Sequence, residues 1–120
     1  MIGARSGATA VIIARFMLAA ATRAGTPDEI QHLLDYVGGS GCTFVRNGVE
    51  SDPAAAREHI RAKYDYAKSQ VSSAEDFIRL AASRSSMTGE PYVVRCGSWQ
   101  FQSADWLTAE LRRYRGDAGQ

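Results

Sequence analysis

Apolar positions recur along this chain in two rhythms, and each change of rhythm marks an element. Ile30, Leu33, Leu34 and Val37 fall on one face of a helix. Thr26-Pro27-Asp28-Glu29 precedes them as a helix start, with Thr26 as cap, proline in the first turn and two acids at the positive end of the dipole. Gly38-Gly39-Ser40-Gly41 ends that helix. The rhythm then shortens to strand alternation over Cys42-Thr43-Phe44-Val45-Arg46, which runs into Asn47-Gly48. Asn-Gly is a hairpin signal, but Val49-Glu50-Ser51-Asp52 leaves little room for a return strand and reads as a strand exit. A long helix is predicted from Ser51-Asp52-Pro53 to about Val71, with Ala56, Ile60, Tyr64, Ala67 and Val71 on its apolar line. Ser72 with Glu75 forms a capping box for a third helix that buries Phe77, Ile78, Leu80, Ala81 and Ala82. A polar connection leads to a second strand, Tyr92-Val93-Val94-Arg95-Cys96, which Gly97-Ser98 breaks. Trp99-Gln100-Phe101-Gln102 alternates and could extend that strand past a bulge. Ser103 caps a last helix with Ala104, Leu107, Leu111 and Tyr114 on its core face and Arg112, Arg113 and Arg115 in its last turn.

The order is α-β-α-α-β-α, without an internal repeat. It predicts an α+β domain over residues 25–116, a two-stranded antiparallel ribbon packed on about four helices, followed by a loose tail at 117–120. A ribbon of two strands is not stable alone and must lie on the helices. Either Cys42, Phe44 and Val94 or the opposite set, Val45 and Val93, faces the core. One antiparallel register places Cys42 opposite Cys96, Phe44 opposite Val94 and Arg46 opposite Tyr92. That register satisfies the pleat and brings two thiols within bonding range, so a Cys42–Cys96 disulfide is expected.

Composition narrows the class. At 120 residues the chain makes one domain, and its 45% hydrophobic and 22% charged content is that of a globular protein. Arg5, Arg15 and Arg23 occupy a start that has no acid, and without it acids slightly outnumber bases. Such a body lacks the dense basic face that nucleic-acid binding needs. Residues 1–24 have the layout of an export signal: a basic start, the apolar run Phe16-Met17-Leu18-Ala19-Ala20-Ala21, and Thr22-Arg23-Ala24 before Gly25. A frayed amphipathic helix, or a segment that stays attached and docks on a partner or membrane, is the alternative. The segment is too short and interrupted to span a bilayer stably. Export and a disulfide support each other, because such bonds persist in oxidising compartments.

Three blocks carry a resemblance. They are Phe44-Val45-Arg46-Asn47-Gly48, Ser73-Ala74-Glu75-Asp76-Phe77-Ile78, and the run from Ala81-Ala82-Ser83-Arg84 through Gly89-Glu90-Pro91-Tyr92. In order and spacing they resemble the YfeK-like family, a domain-of-unknown-function family of small exported bacterial proteins, from roughly Asp28 to Tyr114. The resemblance implies a location in the periplasm or cell envelope of a Gram-negative bacterium. It brings no catalytic residues.

Candidate chemistry is sparse. Ser83, Arg84, Ser85, Ser86 and Thr88 put four hydroxyls and a guanidinium on one loop, suited to an anion, a glycan or a peptide backbone; helix termination is the plainer reading. Arg46 and Asn47 close the first strand near Tyr92, where Arg46 either recognises a carboxylate or phosphate or stacks on the tyrosine. Trp99 serves as core packing or as an exposed anchor. His32, between Asp28 and Asp35, reads as a solvated charge pair, and His59 as a surface histidine. Cys42 and Cys96 match neither zinc-ligand spacing nor a Cys-x-x-Cys redox motif. No metal or cofactor is expected. The expected role is a non-catalytic binding or interaction module for an envelope protein or a small polar ligand. The alternative is a small hydrolase or transferase using the serine-rich loop 83–88. An enzyme would need a concave pocket with a perturbed titratable group beside those hydroxyls.

Overall fold

The computed structural model describes residues 25–116, so the signal-like segment 1–24 and the tail 117–120 lie outside the described residues. Among the described residues four α-helices pack against one face of a four-stranded antiparallel sheet, an α+β fold. Helix α1 spans Thr26–Gly38, β1 Thr43–Arg46, β2 Val49–Ser51 and α2 Pro53–Ala67, with a 3-10 turn at Lys68–Gln70. Helix α3 spans Ala74–Ala81, β3 Val93–Cys96, β4 Trp99–Gln102 and α4 Ser103–Tyr114.

The sheet order is β2-β1-β3-β4, which corrects the expected two-stranded ribbon. The central pair has the expected register, with Phe44 opposite Val94 and Val45 opposite Val93. Its neighbours are two tight hairpins. Asn47 (φ 52°) and Gly48 (φ 79°) are both left-handed, and this twist returns the chain as β2, pairing Arg46 with Val49. Gly97 (φ 63°) makes the corresponding turn with Ser98, so Trp99-Gln100-Phe101-Gln102 folds back as β4 instead of continuing past a bulge. Three residues sufficed for β2 because a two-residue turn fixes its register. The order α1-β1-β2-α2 thus recurs as α3-β3-β4-α4, a structural repeat where no internal repeat was expected.

Phe44 and Val94 point inward with Cys42, whereas Val45 and Val93 are half-exposed on the outer face. The inward set packs on Leu33, Leu34, Val37, Phe77, Leu107 and Leu111, all buried. The outer face is held by an Arg95–Glu50 ion pair from β3 to β2. Cys42 and Cys96 are bonded, with Cα atoms 4.6 Å apart, as the register required.

Helix ends shift slightly from expectation. Gly25, not Thr26, is the cap of α1. At α3 the box is offset by one residue: Ser73 Oγ accepts from the Asp76 N–H at 3.0 Å, and Asp76 accepts in return from the Ser72 N–H and hydroxyl. Glu75 is thereby left for another partner, Arg115. Ser103 is the first helical residue of α4 and buried, with Gln102 as cap.

Candidate functional site

Strand β3 begins just after Tyr92 and ends at Cys96, and the expected site residues separate to its two ends. At the Tyr92 end, the serine-rich loop is tied to the first hairpin turn. Ser85 is buried, and its Oγ accepts from Asn47 Nδ2 at 3.1 Å and from the N–H groups of Met87 and Thr88. Thr88 Oγ1 donates to Asn47 Oδ1 at 2.8 Å, and Ser83 Oγ donates to the Ile78 carbonyl at 2.6 Å. Asn47, Ser83, Ser85 and Thr88 therefore spend their polar atoms on one another and on the backbone. Arg84, Ser86, Met87 and Thr88 are exposed, as is Asn47, whereas Ser85 is buried and Ser83 half-buried. Asn47→Ala is expected to destabilise by about 2 kcal/mol in denaturant titration, from left-handed strain plus two lost hydrogen bonds. Asn47→Gly should recover the backbone share.

Tyr92 is buried, and its hydroxyl lies 3.0 Å from Lys63 Nζ and 3.1 Å from His59 Nε2. The ammonium can only donate, so the phenol accepts from Lys63 and donates to His59. Burial lowers the His59 pKa, and Arg46 and Lys63 lower it further, which favours the neutral ring that role needs. Lys63 stands over the Tyr92 ring, 5.0 Å from its centroid, in the place expected for Arg46. It also donates to the Arg84 carbonyl at 2.8 Å. His59 is thus a working member of a hydrogen-bonded chain and not a plain surface histidine. Ser86 shares a shallow hollow of about 240 Å³ with His59 and Lys63.

At the Cys96 end lies a larger groove of about 980 Å³, between β4 and helices α1 and α4. Trp99 and Phe101 of β4 form one wall, and Trp99 is 70% exposed. Tyr36 of α1 and Trp106 of α4, with ring centroids 4.6 Å apart, continue the aromatic lining, and the disulfide adjoins them. Asp35 and Asp105 are exposed at its rim. Glu110 is buried and accepts from His32 Nε2 at 2.6 Å and from Arg113 at 2.6 and 2.7 Å. The Arg113 hydrogen bonds, supported by His32, hold the Glu110 pKa below its ordinary value. His32 also stacks on Tyr114 at 3.9 Å, so it links α1 to α4 and is not paired with Asp28 or Asp35. Of the residues expected to form a ligand or partner patch only Trp99 lines this groove, together with His32 and the Cys42–Cys96 disulfide. Tyr36 and Trp106 were missed as site residues because they meet only through the packing of α1 on α4, and Phe101 because its place depends on the β3–β4 turn. The alternation of Trp99 and Phe101 was the available signal. Among the described residues no group of three or more His, Cys, Asp or Glu side chains is placed to hold a metal ion.

These features define a small disulfide-bonded α+β domain with an aromatic groove at one end of its sheet and a tied serine loop at the other. The chain belongs to the family of unknown function DUF5329, which matches residues 24–115. It is similar to Uncharacterized protein YfeK of Salmonella typhimurium (strain LT2), with 44% identity over 50 residues. That stretch covers 42% of this chain and 42% of the relative, so the chain spans less than half of the relative's length. No solved structure matches the chain.

Proposed function

We propose that this protein is an exported, non-catalytic binding module of the bacterial envelope, with the groove beside the disulfide as its binding surface. The observation that carries this reading is Trp99: a large indole left 70% exposed, next to Phe101, at the wall of an aromatic groove. Exposed aromatic surface of this kind is enriched where partners dock. Export is supported by the disulfide and by the signal-like segment. Among the described residues no helix is long and apolar enough to cross a membrane. The partner is an envelope protein or a small polar ligand. A photo-crosslinking residue at position 99, in the native host, should trap a discrete product that position 86 does not. Products from position 86 alone would move the surface to the other end of the sheet.

One observation favours the hydrolase or transferase reading. Ser86 lies in the same hollow as His59, whose pKa is lowered, and Lys63. The hollow is shallow, however, and His59 Nε2 is already engaged by Tyr92. Loss of a hydrolytic activity in Ser86→Ala at unchanged stability would establish that second reading.

A further inference from the structure

The two edges of the sheet are not equivalent. Strand β2 has three residues, carries Glu50 and ends at Asp52-Pro53, features that discourage pairing with another chain. Strand β4 is four residues long and has no charge and no proline, and all four of its residues are exposed. Among the described residues no strand pairs on its far side, since β4 is terminal in the strand order. Across a two-residue turn the flanking residues exchange both hydrogen bonds, so Cys96 bonds Trp99 and Val94 bonds Phe101. The backbone N–H and C=O of Gln100 consequently point to the open edge. The side chains of Trp99 and Phe101 meanwhile line the groove. One short strand therefore offers free main-chain groups on its edge and aromatic contacts on its inner face.

We propose that β4 is a strand-addition site that receives an extended peptide segment of a partner protein, whose alternate side chains enter the groove. The proposal rests on the groove being the binding surface and specifies what enters it. Main-chain pairing supplies affinity, and alternate side chains supply selectivity. Tyr36, Phe101 and Trp106 favour an apolar side chain at one inward position. Asp35 and Asp105 at the rim favour lysine or arginine at the next. Charge also separates this partner from a second copy of the chain. Self-pairing of β4 would bring in Trp-Gln-Phe-Gln, which has no cation for those carboxylates. A glycan would use the aromatic faces and leave the open edge unmatched.

The test is selection of a phage-displayed library of random dodecapeptides on the oxidised full chain. Enriched peptides should alternate, with apolar and basic residues at every second position. Gln100→Pro should weaken them at least tenfold, while Gln100→Ala stays within twofold of the parent. The Gln100 N–H points away from the sheet, so proline there removes an edge donor and no internal bond. Hydrogen exchange on the parent gives the same answer without a variant: the Gln100 amide, fast in the free protein, should become protected by peptide. Failure to enrich any peptide would overturn the proposal, as would peptides that bind Gln100→Pro like the parent. A dimer that Gln100→Pro dissolves would replace the partner segment with a second copy. Binding lost in Trp99→Ala but kept in Gln100→Pro would reject strand addition and retain the groove. Binding kept in both variants would reject the groove as well.

Discussion

Replacing Cys42 and Cys96 together by alanine is expected to lower the melting temperature on the order of 20 °C. The bond joins residues 54 apart, for which chain entropy gives about 4 kcal/mol. In a domain of this size each kcal/mol moves the midpoint by about 4–8 °C. The bond also ties β1, reached directly from α1, to the strand that carries the β3–β4 turn. Its loss should therefore loosen the Trp99 side of the groove before it disturbs the serine loop. Calorimetry with and without reductant measures the stability effect. A shift below about 5 °C would mean that β1–β3 pairing already restricts the unfolded chain's alternatives.

Arg115→Met is expected to cost about 2–3 kcal/mol in urea titration. The guanidinium sits at the C-terminal cap of α4, where it gives Glu29 of α1 two hydrogen bonds at 2.8 and 2.9 Å. It gives Glu75 of α3 two more, at 2.6 and 3.1 Å. Three helices thus meet on one cation. Removing one partner of a buried pair costs about 3–5 kcal/mol. The expected value is lower because the Glu75 side chain is more than half exposed and its share is screened. The hydrogen bonds from Arg115 depress the Glu75 pKa, and Glu29 and Glu75 raise that of Arg115. A depressed carboxylate contributes stability above its unfolded pKa and loses it as pH falls through the lower folded value. The gap between parent and variant should therefore be constant near neutrality and shrink below about pH 4. A gap that does not shrink would show that Arg115 acts through packing.

Much of this fold was legible in the sequence, and the reasons are local. The apolar line of α1, the Asp52-Pro53 start of α2 and the β1–β3 register each follow from residues close together or from a pleat with one buried face. Strand β2 was rejected on length, although Asn47-Gly48 was recognised as a turn signal; the turn outweighed the shortness of Val49–Ser51. Strand β4 was half-read, since its alternation was seen but its reversal at Gly97-Ser98 was not. The serine loop was singled out for its hydroxyls. Those of Ser83, Ser85 and Thr88 are consumed by Ile78, Asn47 and the local backbone, which sequence spacing could not reveal. His32, Tyr36, Trp106 and Glu110 were illegible as a group because α1 and α4 bring them together from opposite ends of the chain.

The recurrence of helix, hairpin and helix bears on how the molecule assembles. Each hairpin closes over a two-residue turn, a local event on the microsecond scale. The β1–β3 contact instead joins residues about fifty positions apart and must wait until both halves exist. During synthesis, the first half emerges with β1 unpaired on one side and Cys42 without its mate. Oxidation of the pair is then a record of completed docking: the covalent bond closes only after the two halves have met.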